Sequence, residues 1–151
     1  MAAAMTADVI DDPAVLRGKL LCIEQGRRSV DRIAGWVVAH PGVQLLHATS
    51  GLEGVRMAQT EQPDLVLLDM QLPGIGGLEV IRRLNGEIAA RGLRVTILAG
   101  DRSPLDTIRA MSLGAFEYWP TTLEPRLFHA GLQRALSGRR ADPARTLQRP
   151  R

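Results

Sequence analysis

LVLLDMQLPGIGGLEV, residues 65–80, sets four aliphatic residues in a row, ends them on the carboxylate of Asp69, turns at Pro73-Gly74 and continues with helical spacing. A short aliphatic run of this kind suits a strand buried on both faces of a parallel sheet. An acid closing such a strand would stand at the carboxyl edge of the sheet, where α/β folds place their chemistry. The simpler reading is a solvated loop aspartate, and the rest of the chain decides between the two.

Four further aliphatic runs surround that stretch, at Lys19–Glu24, Val43–Ala48, Leu93–Ala99 and Ala115–Trp119, while the run containing Leu65 extends over Asp64–Asp69. Segments with helical spacing separate them. SVDRIAGWVVAH aligns Val30, Ile33, Val37 and Val38, with Ser29 as N-cap and Pro41-Gly42 as the stop. GLEGVRMAQTEQ offers Leu52, Val55 and Met57, and GLEVIRRLNGEIAARG repeats Leu78, Ile81, Leu84 and Ile88 before a C-capping Gly92. SPLDTIRAMSLG has Ser103 as N-cap, Pro104 at the first helical position and Gly114 after the end. TLEPRLFHAGLQRAL turns Leu127, Phe128, Leu132 and Leu136 inward.

Five alternations of strand and helix predict an α/β domain, a (βα)5 doubly wound parallel sheet with helices on both faces. With 151 residues the chain suits one core, placed at residues 18–137, with tails at 1–17 and 138–151. Aromatics make up 3% of the residues, so the core is aliphatic. The formal charge of +3 belongs to the second tail, where Arg139, Arg140, Arg145, Arg149 and Arg151 face only Asp142, a net of +4 that leaves −1 for the rest. Such a tail reads as solvated, so nucleic acid is not expected as a partner. The single cysteine, Cys22, lies inside an apolar run and fits a reducing compartment. No signal peptide or membrane span is expected, and the protein is read as cytoplasmic.

The strand ends supply the candidate site. Glu24 and Gln25 follow the first strand, Asp69 the third, LAGD the fourth and WPTTLEP the fifth. In this order and spacing, from about Lys19 to Leu136, the chain resembles the receiver domain of two-component response regulators. PDLVLLDMQLPGIGGLEVIRRL carries the resemblance most specifically, and GAFEYWPTTLEPRL adds to it. The resemblance implies a flavodoxin-like sheet of strand order 2-1-3-4-5. It also implies an aspartate that accepts a phosphoryl group from a partner's phosphohistidine. In such receivers Mg²⁺ is held by two acids after the first strand, by the phosphoacceptor and by a backbone carbonyl two residues beyond it. A Thr or Ser after the fourth strand and a Lys after the fifth hold the phosphoryl oxygens, whose spread charge needs fixed donors.

Carried over by position, Asp69 matches the phosphoacceptor, Gln71 the carbonyl position and Glu24 the first acid. Gln25 stands where the direct acidic ligand belongs, Ala99 where the hydroxyl belongs and Thr121 where the lysine belongs; Thr122 replaces the proline that usually follows. Lys19 is the only lysine in the chain, and Thr96 lies inside its strand rather than at the rim. Arg102 is the substitute cation that would have to swing toward the site; Asp11-Asp12 precedes the first strand and reads as tail. Weak Mg²⁺ binding is therefore expected at Glu24, Asp69 and Gln71, with Glu24 otherwise a solvated rim acid. Tyr118 matches the switch aromatic of receivers, against a plain reading as an edge tyrosine. Trp36 and Trp119 read as packing residues. His40, His47 and His129 show no shared ligand spacing and take no role.

The reading is an atypical stand-alone receiver, not an enzyme, that works through protein contacts. Its partners would be a histidine kinase, a phosphotransfer protein or a downstream signalling protein. Its docking or homodimer face would be the fourth predicted helix, the fifth strand and the fifth predicted helix. Two alternatives stay open: Asp69 is still phosphorylated by a histidine kinase, or the fold serves a small enzyme or cofactor binder. Against the latter, EQGRRS is a poor phosphate loop and no GxGxxG follows the first strand.

Overall fold

The computed structural model describes residues 15–100 and 104–137. Asp11-Asp12, Asp101, Arg102, the predicted cap Ser103 and the arginine-rich tail lie outside the described residues. Strands β1 (Gly18–Ile23), β2 (Val43–Ala48), β3 (Leu65–Asp69), β4 (Arg94–Ala99) and β5 (Glu117–Pro120) form one parallel sheet in the order β2-β1-β3-β4-β5. Among the described residues six helices connect and close it: α1 (Arg27–Val37), α2 (Gly51–Glu61), α3 (Gly77–Arg83), α4 (Asn85–Arg91), α5 (Pro104–Ser112) and α6 (Pro125–Leu136). The expected α/β flavodoxin-like topology is observed.

The period-2 alternation of the strands divides the core in two. Leu20, Cys22, Leu65, Leu67, Leu98 and Trp119 meet α1 and α6 on one face. Leu21, Ile23, Val66, Leu68, Val95 and Ile97 meet α2, α3 and α5 on the other. The three central strands carry aliphatic residues to both faces, which is why their sequence runs are unbroken.

Close approach on the first face depends on Gly131 of α6. A Cβ there would collide with the ring of Trp119, so only hydrogen lets the helix reach the sheet. Phe128 fills the space beside it, fully buried, 5.4 Å from Trp36 and 6.0 Å from Trp119 between ring centroids. Both tryptophans pack as expected. Arg94 ties the same helix to the sheet: its guanidinium lies 4.6 Å from the Phe116 ring centre and donates to the carbonyls of Arg134 (2.9 Å) and Ala135 (2.8 Å). Those are C-terminal carbonyls with no partner inside the helix.

Several local expectations change. The N-cap of α1 is Gly26, with extended backbone, and Ser29 sits in the first turn. Helical period fixes spacing but not phase, and three residues assigned inward are exposed: Val38 (80%), Leu52 (57%) and Leu127 (48%). The single helix expected over 77–91 is broken at Leu84, whose backbone is not helical, just before the Asn85-Gly86 pair. Gly92 caps α4 with a left-handed φ of 67°, as expected. The strand bounds move by up to two residues, most at β5, which begins at Glu117 rather than Ala115.

Candidate functional site

A cleft of about 500 Å³ opens at the carboxyl ends of β1, β3 and β4. Glu24, Ser29, Asp69, Met70, Gln71, Leu98, Ala99, Gly100, Asp106, Thr107 and Thr121 line it. The sheet delivers its acids by register. Asp69 is the last residue of β3, opposite Leu98 of β4, and Glu24 extends β1 by one residue, its N–H donating to the carbonyl of Ala48 (3.0 Å).

Glu24 is not a solvated rim acid. It is 7% exposed, its Oε1 accepts the Gly26 N–H (2.9 Å), and its carbonyl oxygen lies 2.7 Å from Nε2 of His47. The physical reason is the strand alternation, which places Glu24 on the same side as Cys22 and over the cleft floor. Burial holds its carboxyl above the ordinary range; the Gly26 N–H works against this, while the like charge of Asp69 and a shared hydrogen bond with it push the same way as burial. The thiol of Cys22 senses the same pair: burial pushes it up to about 12, and the charges of Glu24 and Asp69 add to the rise. Asp69 itself is half-buried and its Oδ1 accepts the Gln71 N–H at 2.9 Å, which folds the loop back over the strand end.

Of the remaining residues expected at the site, Ala99 and Thr121 line the cleft and Gln25 does not. Gln25 is exposed. Ala99 and Tyr118 share the sheet face that carries Ile97, because Ile97 pairs with Tyr118 and Ala99 with Pro120. Tyr118 is 57% exposed. Thr96 is fully buried, and its position three residues before Ala99 sets it on the opposite face. No lysine or arginine lines the cleft among the described residues. Ser29, Asp106 and Thr107 are lining residues the sequence reading passed over. Asp106-Thr107 opens α5 directly beyond the LAGD rim, which was the available signal.

Glu24 and Asp69 suit a hard cation as far as two carboxylates can, since a cation would relieve their mutual repulsion. Among the described residues no group of three or more His, Cys, Asp or Glu is close enough to hold a metal. Without a cation, the ionised Glu24 is a cost to the fold. A carboxyl whose folded pKa is raised loses stability as pH climbs from its unfolded pKa through the folded one. Glu24→Gln keeps an oxygen for Gly26 and removes that cost, so it is expected to raise Tm at neutral pH by roughly 2–4 °C. The gain should vanish near roughly pH 3.5, where the acid is protonated in both states; thermal scans at the two pH values check it.

A family model described as the response regulator receiver domain matches residues 21–131. The chain belongs to that family. Protein PilH of Pseudomonas aeruginosa is 24% identical over 120 residues, covering 80% of this chain and 98% of PilH. The alkaline phosphatase synthesis transcriptional regulatory protein PhoP of Bacillus subtilis is 26% identical over 118 residues, covering 78% of this chain and 48% of PhoP. This receiver therefore spans about half of one relative and nearly all of the other. Among solved structures, the receiver domain of a sensor histidine kinase from Pseudomonas aeruginosa superposes with a TM-score of 0.70 at 20% identity, covering 81% of this chain and 98% of that one. That structure has a magnesium ion coordinated in its active site cleft. Among the described residues of this receiver, no helix is long and apolar enough to cross a membrane.

Proposed function

We propose that this receiver is a cytoplasmic signalling domain, spanning residues 18–137, that acts by protein contact, with Asp69 at the phosphoacceptor position of an incomplete site. The observation that carries the reading is the lining of the cleft. The carboxylates of Glu24, Asp69 and Asp106 share the cleft with Ala99 and Thr121, the positions where the resemblance puts a hydroxyl and an ammonium, and no lysine or arginine lines it among the described residues, so a transferred phosphoryl would meet mainly negative charge. Weak Mg²⁺ binding at Glu24, Asp69 and the Gln71 carbonyl goes with this composition, because Gln25 is neutral and exposed and only two carboxylates come close enough to share a cation among the described residues.

The contact face follows from α5. Only Ala110 of that helix is buried, while Leu105 (63% exposed), Ile108 (61%) and Met111 (40%) recur every three residues along its outer side. With Tyr118, also exposed, they offer apolar surface beyond what a lone helix needs. This face docks a downstream protein, a histidine kinase or phosphotransfer protein, or a second copy of the chain. Because Ala99 has no hydroxyl to be drawn inward and is smaller than Thr, the placement of Tyr118 is set by packing and partner binding rather than by Asp69 chemistry.

The test compares two variants against a partner captured on this face. Asp69→Ala is expected to leave affinity within about twofold, whereas Ile108→Arg weakens it about tenfold or more by burying an unpaired charge. Sedimentation of the free chain at rising concentration separates a second copy from other partners. Treatment with acetyl phosphate and Mg²⁺, followed by intact mass, is expected to leave Asp69 largely unmodified. Stoichiometric phosphorylation, with a partner that binds only afterwards, overturns the reading.

A further inference from the structure

His40 and His129 are 89 residues apart in the chain, yet Nε2 of one lies 2.8 Å from Nδ1 of the other. This corrects the reading of three isolated histidines; only His47 stands apart. His40 sits in the turn after α1 and is fixed there by its backbone, its N–H donating to the carbonyl of Val37 (2.8 Å) and its carbonyl accepting from Val43 (2.9 Å). His129 is on α6, held beside Phe128 with ring centroids 5.5 Å apart. The two imidazoles, both half-buried, face a cavity of about 500 Å³ at the end of the α1–α6 layer, which Leu16, Pro41 and Gln133 also line. The phosphoacceptor cleft shares none of these residues.

The geometry points to a site for a borderline divalent cation, of which zinc is the reference, held by Nε2 of His40 and Nδ1 of His129. Two imidazoles on one tetrahedral zinc at about 2.0–2.1 Å stand about 3.3 Å apart, so the rings need to part by roughly half an ångström. The pair is held together by a single proton between two nitrogens. The cation takes that proton's place, and the proton moves to the far nitrogen of the ring that carried it, so both ligands remain neutral imidazoles. Among the described residues no carboxylate lines the cavity. An all-nitrogen set with room for water selects zinc, nickel or copper over magnesium. Gln133, one turn beyond His129 on α6, lines the same cavity. Occupancy would staple the end of α1 to α6, on the face opposite α5.

The test is calorimetric titration of zinc chloride into the whole chain, stripped with chelator and carrying no affinity tag. At about pH 8, where imidazoles are neutral, one equivalent is expected to bind with no net proton release, and magnesium chloride is expected to give no heat at this site. His40→Ala and His129→Ala should each weaken binding about tenfold or more, while His47→Ala leaves it unchanged. Gln133→His, on an exposed position, adds a third imidazole and should tighten binding at least about tenfold. That gain does not depend on either alanine variant folding well. Absence of saturable binding to the parent chain, binding that survives both alanine substitutions, or binding seen only with Gln133→His overturns the site.

Discussion

Phe128→Ala is expected to lower the unfolding free energy by about 3–5 kcal/mol, the largest effect of any single truncation in this chain. The ring is fully buried and touches both tryptophans, so the substitution empties the one place where the scarce aromatic residues gather. Neighbours cannot collapse into the gap. Trp119 is pinned on one side by the glycine surface of Gly131 and at its edge by the bond from Nε1 to Glu117 Oε1 (2.7 Å). Glu117 is in turn held by Arg134 at 2.8 Å. Domains of this size have about 5–15 kcal/mol in total, so the variant should sit near its limit at room temperature. Urea unfolding followed by circular dichroism measures the loss. A cost below about 1 kcal/mol would mean that α6 repacks freely.

Gln25→Asp is expected to tighten Mg²⁺ binding about tenfold, the largest effect foreseen on the cleft. Gln25 is exposed and outside the cleft lining but follows Glu24 directly, so a carboxylate there adds attraction from the rim for a cation held at Glu24 and Asp69, about 1 kcal/mol in bulk water and up to ~4 kcal/mol near a protein surface. Tenfold corresponds to about 1.4 kcal/mol, inside that range. The parent chain should bind Mg²⁺ only weakly, and Asp69→Asn should remove the gain. Sub-millimolar, Asp69-dependent affinity in the parent chain would show that Gln25 is no handicap. Amide chemical shifts of Met70 and Gln71 during titration provide the readout.

The sheet was legible because its three central strands are aliphatic on both faces, a pattern that survives without knowledge of neighbours. Asp69 was legible for the same reason, as the first acid after the longest such run. Glu24 was placed correctly along the chain but not in depth: its burial follows from which side of β1 Cys22 occupies, and alternation could have supplied that. Val38, Leu52 and Leu127 were misassigned because a few apolar residues per helix fit more than one phase, and the sheet selects one of them. The break at Leu84 had a signal in Asn85-Gly86, a poor pair for a helix interior. The histidine pair had none. Its members come from a turn and a helix that meet only after the sheet has ordered α1 beside α6.

Cys22 gives the chain a silent thiol. It lies in β1 with no exposure, and its proton is held so tightly that almost no thiolate exists at neutral pH. An alkylating reagent can reach it only when the sheet itself opens, so its labelling rate counts global openings and ignores fraying at the helices. A second cysteine placed at an exposed position such as Tyr118 would react far sooner. One chain could then carry both a fast surface label and an internal clock for unfolding, distinguished by rate alone.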